Sequence, residues 1–269
     1  MIPTGFPIAQ YLKRIGLSSN PGPDEDGLCL IHSAQAFAIP FENFDIHLGR
    51  PISLSPKDLI DKILSRKRGG YCFELNGLFR LALTALGFTV HPRLARVLYG
   101  RKDAGARTHQ VLIVTISGKR WLADNGFGGP GLRLPLPLNT GQVQEQFGEV
   151  YRLRRDPELG TVLQKETRHG FSDLYAFDEN ELTLEIDIET ANHVTSTWPS
   201  SVFRLRRMAS LPDPTGRVTL ADMELAIYRN GQSVSRTLPA GPQYMAALTE
   251  HFGIDLDARY EDFKPLGPD

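Results

Sequence analysis

Cysteine is scarce in this sequence: 269 residues hold two, Cys29 and Cys72. Two thiols cannot frame a disulfide-stapled secreted domain, so free cysteines in a reducing, cytoplasmic compartment are expected. Long apolar runs are missing too. No stretch approaches the roughly 18 residues needed to cross a bilayer, so no membrane span is expected. The amino terminus, MIPTGFPIAQYLKRIG, lacks the basic start and apolar run of a secretory leader. Neither sign of charge is in excess: 30 Lys and Arg meet 31 Asp and Glu, for a net charge of −1. A nucleic-acid partner is therefore not expected. The short basic clusters 66–68 and 204–207 suit a solvated face or a small anionic ligand. No internal repeat, low-complexity tract or metal-site spacing of His, Cys and carboxylates occurs, so no metal is implied.

What is present is an ordinary globular composition, 41% hydrophobic and 23% charged, long enough for two or three compact units. Residues 1–87 read as helical. A helix ends at Gly16, and a second follows the acidic Asp24-Glu25-Asp26 and stops at Pro40. A third opens on Ser55-Pro56, with a Ser cap and Pro in the first turn. A fourth covers about residues 72–86, with Leu75, Leu78, Phe79, Ala82 and Leu86 on one stripe and Gly87 as terminator. From Phe88 to about Phe177 the apolar runs are short and rich in Val, Ile, Thr and Tyr, separated by turn residues, which reads as an antiparallel sheet or small barrel. Residues 128–141 read as loop, because their prolines cannot serve a central strand. Beyond Asp178 the text is mixed. Residues 179–195 fit helix or strand; strands are expected at 202–208, 217–220 and 223–229, and a helix at 241–251.

The most informative segment is Arg68-Gly69-Gly70-Tyr71-Cys72-Phe73-Glu74-Leu75-Asn76. Its glycines let the backbone turn tightly. Cys72 then falls in the first turn of the fourth helix, where unpaired N–H groups and the helix dipole favour a thiolate. A buried structural cysteine is the other reading of that position. His109 opens the strand THQVLIVTIS, and Asp124 closes the next, RWLAD, with a tight turn at Ser117-Gly118 between them. A two-residue loop pairs positions of odd sum, such as Ile116 with Lys119. His109 and Asp124 also have an odd sum, so both side chains fall on one face near one end of the hairpin. A carboxylate beside an imidazole fixes its tautomer and leaves the other nitrogen to take a thiol proton. Whether Cys72 meets this hairpin is not legible from spacing. Cys29 reads as a small buried hydrophobe. His32, His47, His91, His169, His193 and His251 lack a partner pattern.

The run RGGYCFELNGLF resembles the active-site signature of the arylamine N-acetyltransferases. Residues Tyr11–Gly16, Ile39–Asp45, Thr108–Val111, Leu122–Gly128, Asn192-His193 and Ser200–Phe203 resemble other segments of that family in the same order. The resemblance implies an α+β fold with a helical bundle (1–87), an antiparallel β-barrel (88–195), an α/β lid (196–269) and a cysteine-protease-like Cys-His-Asp core. It also tips residues 179–195 toward helix. It implies that Cys72 carries an acetyl group from acetyl-CoA, that His109 activates the thiol, and that Asp124 holds His109. CoA leaves, and an arylamine or aryl hydrazine then attacks the thioester in a ping-pong cycle, with O-acetylation of N-hydroxyarylamines a possible extension. Phe41, Phe127 and Phe203 fall at positions that line the acceptor pocket; packing in the core is their other reading. Glu42 and Arg68 are expected to form a buried ion pair that braces the segment before Cys72. Thr108, Gly128 and Gly129 are candidate CoA contacts, the glycines serving otherwise as a tight turn. Asn125 and Phe44 depart from commoner family text, in ways expected to reshape the acceptor side. A related cysteine acyltransferase, an amide synthase or hydrolase on the same scaffold, and a non-catalytic binding protein remain alternatives, as monomer or homodimer.

Overall fold

The computed structural model describes residues 5–139 and 141–265. The first four residues of the stretch read for a leader, and Thr140 in the 128–141 loop, lie outside them. Helix α1 (Ile8–Arg14) and helix α2 (Glu25–Ala38) form where expected. Asp24 starts α2 by accepting the Gly27 N–H on its side chain at 2.8 Å. After Pro40 the chain departs from an all-helical reading. Phe41–Glu42 form a short strand, β1, before α3 (Phe44–His47). Helix α4 (Pro56–Leu59), capped by Ser55, widens into a π turn at Ile60–Ser65. Helix α5 (Cys72–Ala85) is buried on nearly every side rather than along one stripe. It packs against α1 and α4, and against the first two strands of the large sheet.

That sheet is antiparallel throughout. It contains β2 (Thr89–Val97), β3 (Arg107–Ile116), β4 (Lys119–Ala123), β5 (Leu136–Pro137), β6 (Val143–Gln146), β7 (Glu149–Asp156), β8 (Gly160–Thr167) and β9 (Gly170–Phe177). The spatial order is β5-β4-β3-β2-β9-β8-β7-β6. Its two edges approach each other through Gln146, whose side-chain oxygen accepts the Arg133 and Leu134 N–H groups at 3.0 Å, while its amide donates to Leu134 O. The result is an almost closed barrel. The stretch read as loop thus contains β5, an edge strand, where Pro137 removes no central ladder bond. Strand β3 is covered on both faces. Leu112, Val114 and Ile116 join the helical core, and Val111 and Ile113 join the barrel core.

Helix α6 (Glu185–Thr197) leads to α7 (Val202–Leu205), β10 (Met208–Asp213), β11 (Gly216–Ala221), β12 (Glu224–Arg229), β13 (Gln232–Thr237) and α8 (Pro242–Phe252). The strand expected at 202–208 is instead a helical turn, because Ser201 Oγ accepts the Phe203 N–H; the strand begins at Met208. Strand β13, QSVSRT, is exposed throughout and has no apolar alternation to announce it. The second sheet runs β1-β10-β11-β12-β13, so two residues from the first part of the chain form its edge.

Strand β1 also touches the segment before Cys72, since the Glu42 N–H donates to Gly70 O at 2.9 Å. A Cβ on Gly69 would lie 2.0 Å from Pro40 O, so only glycine fits there. Glu42 and Arg68 form the expected buried pair, 2.7 Å apart, but the pair belongs to a larger cluster. Arg68 also reaches Asp45 at 3.2 Å, and Lys62 lies 2.7 Å from both Asp45 and Glu74. The other Glu74 oxygen accepts the Tyr71 N–H at 3.1 Å, fixing the residue that precedes Cys72. Burial works against the Asp45 carboxylate, but Lys62 and Arg68 outweigh it and hold its pKa down, from 3.8 to about 2.

Removing one partner from this cluster leaves an uncompensated buried charge. Arg68→Met should therefore lower unfolding stability by about 3–5 kcal/mol in urea titration. Asp45 has a depressed folded pKa, so its contribution is complete above about pH 4 and is lost as pH falls toward 2. Asp45→Asn should flatten the stability profile within that window. An equally steep profile in the variant would reject the assignment.

Candidate active site

Cys72 is the first residue of α5 and is 2% exposed. The helix starts there because Tyr71 is extended (ψ −170°) and the Glu74 carboxylate, one turn in, binds the Tyr71 N–H. Tyr71 is itself anchored, since its hydroxyl reaches Asn192 O at 3.3 Å and the Asn192 side chain more closely. The Cys72 Sγ lies 3.8 Å from Thr108 O. The register of β2 and β3 skips Thr108, pairing Ala95 with His109 and Arg96 with Arg107. That bulge turns the Thr108 carbonyl toward the thiol.

Strands β3 and β4 pair Ile116 with Lys119, the register that parity requires, through a turn with positive φ at Ser117 (49°) and Gly118 (79°). His109 and Asp124 meet on one face, with His109 Nε2 donating to Asp124 Oδ2 at 2.8 Å. This leaves Nδ1 free on the side of the cavity that Cys72 and His109 both line. Burial opposes the imidazolium, but the Asp124 charge and hydrogen bond, with Cys72 adding to them, raise the His109 pKa to about 10. Burial likewise opposes the Asp124 carboxylate, and His109, Asn76 and the Gly126 N–H reverse the direction and lower its pKa.

Two residues that spacing did not single out hold Asp124. Asn76 Nδ2 donates to Asp124 Oδ1 at 2.8 Å and to Gln110 O at 2.6 Å, and its oxygen accepts the Asn125 N–H at 2.9 Å. The signal was present, since Asn76 follows Cys72 by four residues and so shares its helix face. His32 accepts the Asp124 backbone N–H on Nε2 at 3.2 Å. Burial first of all lowers the His32 pKa to about 4, in keeping with a neutral acceptor. Nothing in the sequence links positions 32 and 124. Gly126 fits against this cluster because a Cβ there would lie 2.7 Å from Asn76 Nδ2 and 2.8 Å from the Cys72 backbone.

Cys72 and His109 open into a cavity of about 520 Å³. Phe41, Phe127 and Phe203 all line it, as do Thr108, Gly128 and Gly129. Phe127 packs edge-on to His109 at 5.2 Å, and Tyr175, also unforeseen, lies 4.9 Å from the same ring. Gly128 and Gly129 form a tight turn closed by the Gly131 N–H to Gly128 O at 2.7 Å, and both have positive φ. Neither departure from family text lines this cavity. Phe44 is buried in the C-terminal core beside Phe263, and Asn125 borders a separate cavity of about 30 Å³ behind Gly128. Cys29 is half-buried on α2 rather than fully enclosed, and its pKa is raised by burial and by Asp26 and Glu25. Among the described residues, no group of three His, Cys, Asp or Glu side chains is placed to hold a metal.

The Asp124 carboxylate accounts for the raised pKa of His109. Following the His109 ring protons by NMR, the wild-type imidazole should stay protonated to near pH 10. In Asp124→Asn it should titrate several pH units lower; an unchanged midpoint would contradict the assignment.

Residues 25–260 match a family model described as N-acetyltransferase. The arylamine N-acetyltransferase of Mycolicibacterium smegmatis is 38% identical over 255 residues, covering 93% of this chain and 92% of that protein. The solved arylamine N-acetyltransferase from Salmonella typhimurium superimposes with a TM-score of 0.88 at 33% identity, over 95% of each chain. That of Mycobacterium marinum, solved in complex with CoA, gives 0.86 at 37% identity over 92% of each chain. With matches that extend over nearly the whole chain in sequence and in fold, the protein belongs to the arylamine N-acetyltransferase family.

Proposed function

We propose that this protein transfers an acetyl group from acetyl-CoA to the nitrogen of an arylamine or aryl hydrazine through an acetyl-Cys72 intermediate. The observation that carries the reading is the meeting of Cys72, at a helix start, with an imidazole held by a buried carboxylate, on the wall of an aromatic-lined cavity. In this scheme the Cys72 proton already rests on His109, whose raised pKa favours the imidazolium, and the thiolate attacks the acetyl thioester. The tetrahedral oxyanion forms beside the first turn of α5, where the Phe73 N–H is a donor without a helical acceptor. CoA departs as a thiolate and receives the proton from His109. The neutral amine then attacks acetyl-Cys72, His109 removes its proton, and collapse releases the N-acetyl product with the Cys72–His109 pair restored.

Phe41, Phe127 and Phe203 give the acceptor an apolar, aromatic wall, which suits a flat ring without strong charge. Asn76 and His32 position Asp124, and the ionic cluster around Glu74 positions the helix start. Among the described residues no helix is long and apolar enough to cross a membrane. Both cysteines are free, which suits a thiol enzyme of the cytoplasm.

Initial rates of CoA release with 4-aminosalicylate or an aryl hydrazine should give parallel double-reciprocal lines, because the two substrates never share the site. Cys72→Ala should lower CoA release by at least about a thousandfold. Intersecting lines, or release by the Ala variant at the wild-type rate, would exclude the covalent scheme.

A further inference from the structure

Behind the helix start that carries Cys72 lies a second cleft, of about 600 Å³, bounded by α5, α6, β3 and residues 52–59. It shares no lining residue with the Cys72 cavity. Side chains on a strand point alternately to opposite faces, so Gln110 turns into this cleft where His109, one residue earlier, turns toward the cysteine. Phe73, Leu59 and Ile188 are buried and give the cleft an apolar floor.

Most polar groups on its walls are already matched. Asn192 donates to Ile52 O at 3.1 Å and accepts the Tyr71 hydroxyl. The Ser53 and Ser55 hydroxyls donate to Asp58 at 2.6 and 2.7 Å. Arg80 is paired with Glu185 through two contacts, one of them at 2.9 Å. Two groups remain. Gln110 is 1% exposed, yet its Oε1 is buried without a hydrogen-bond partner among the described residues. An acceptor left dry in this way costs stability until a donor answers it. Glu189, exposed on α6 at the mouth of the cleft, has no cation at ion-pair distance among the described residues. With Glu185 answered by Arg80, the mouth carries one carboxylate in excess.

We infer that this cleft binds an aromatic ammonium whose ring bears a hydroxyl or N–H donor, an ethylamine of the phenolic or indolic type. The ring lies against Phe73 and the aliphatic floor. Its donor reaches Gln110 Oε1 at the buried end, and the ammonium stays at the rim beside Glu189, where it keeps most of its water. The opposite placement would bury the charge with an amide as its sole partner. A cleft of about 600 Å³ has the size of a small-molecule site. The site stands apart from the acetyl-transfer chemistry and does not depend on it.

Tyramine, phenethylamine and tyrosol form the test set: the second lacks the ring hydroxyl, and the third carries a hydroxyl in place of the ammonium. Calorimetric titration of the wild type needs no variant to fold, and tyramine should bind most tightly. Phenethylamine should be weaker by about tenfold, for the lost buried hydrogen bond. Tyrosol should be weaker by about fivefold, for a rim charge that water partly screens. In Glu189→Gln, tyramine and tyrosol should bind alike; in Gln110→Met, tyramine and phenethylamine should. Alkylation of Cys72 with iodoacetamide obstructs the catalytic cavity and should leave the Kd for tyramine within about twofold. A wild type that binds no tyramine, a ranking that survives both substitutions, or binding lost on alkylation would overturn the site.

Discussion

A single buried carboxylate, that of Asp124, is the constraint on which the site depends. It is 1% exposed, and a bare carboxylate at that depth would not stay ionised. Three donors hold its charge: His109 Nε2, Asn76 Nδ2 and the Gly126 N–H, each at 2.8 Å. They come from β3, from α5 and from the chain just beyond β4. The bond to His109 orients the imidazole and raises its pKa, and the bond to Asn76 locks the barrel hairpin to the helix that begins at Cys72. Losing the carboxylate would therefore loosen the geometry and alter the proton affinity at once.

A second buried set of charges does similar work at the start of α5. Glu74 binds the Tyr71 N–H and is matched by Lys62, which shares Asp45 with Arg68, which in turn holds Glu42. Glu42 lies in β1, the edge strand of the second sheet. Through these contacts and the Asn76–Asp124 bond, the helical segment, the C-terminal sheet and the barrel all bear on one residue, Cys72. Breaking any link costs more than the link contributes in isolation, because its partner is left charged and dry.

Local physics made much of this legible. The odd-sum rule for a two-residue hairpin placed His109 and Asp124 together, and glycines before an apolar stripe placed Cys72 at a helix start. The Glu42–Arg68 pair was legible only through family resemblance, as was the approach of Cys72 to the hairpin. Contacts between distant segments left no trace. His32 reaches Asp124 across 92 positions with nothing in its neighbourhood to announce it. Lys62 and Asp45 look like surface charges until the fold buries them. Strand β1 was hidden by its length of two residues, and β13 by its lack of an apolar face. In both cases the pairing partner decides the structure, and the local sequence does not.

Cys72, poised by His109 and Asp124, is the covalent carrier at the centre of the proposed mechanism. The most direct measurement is the intact mass of the protein after brief exposure to acetyl-CoA without any amine, followed by peptide mapping. One added acetyl group, on the peptide bearing Cys72 and lost on addition of an arylamine, is the predicted result. A protein that gains no acetyl group while still acetylating the amine, or that carries a stable acetyl group elsewhere, would contradict the account.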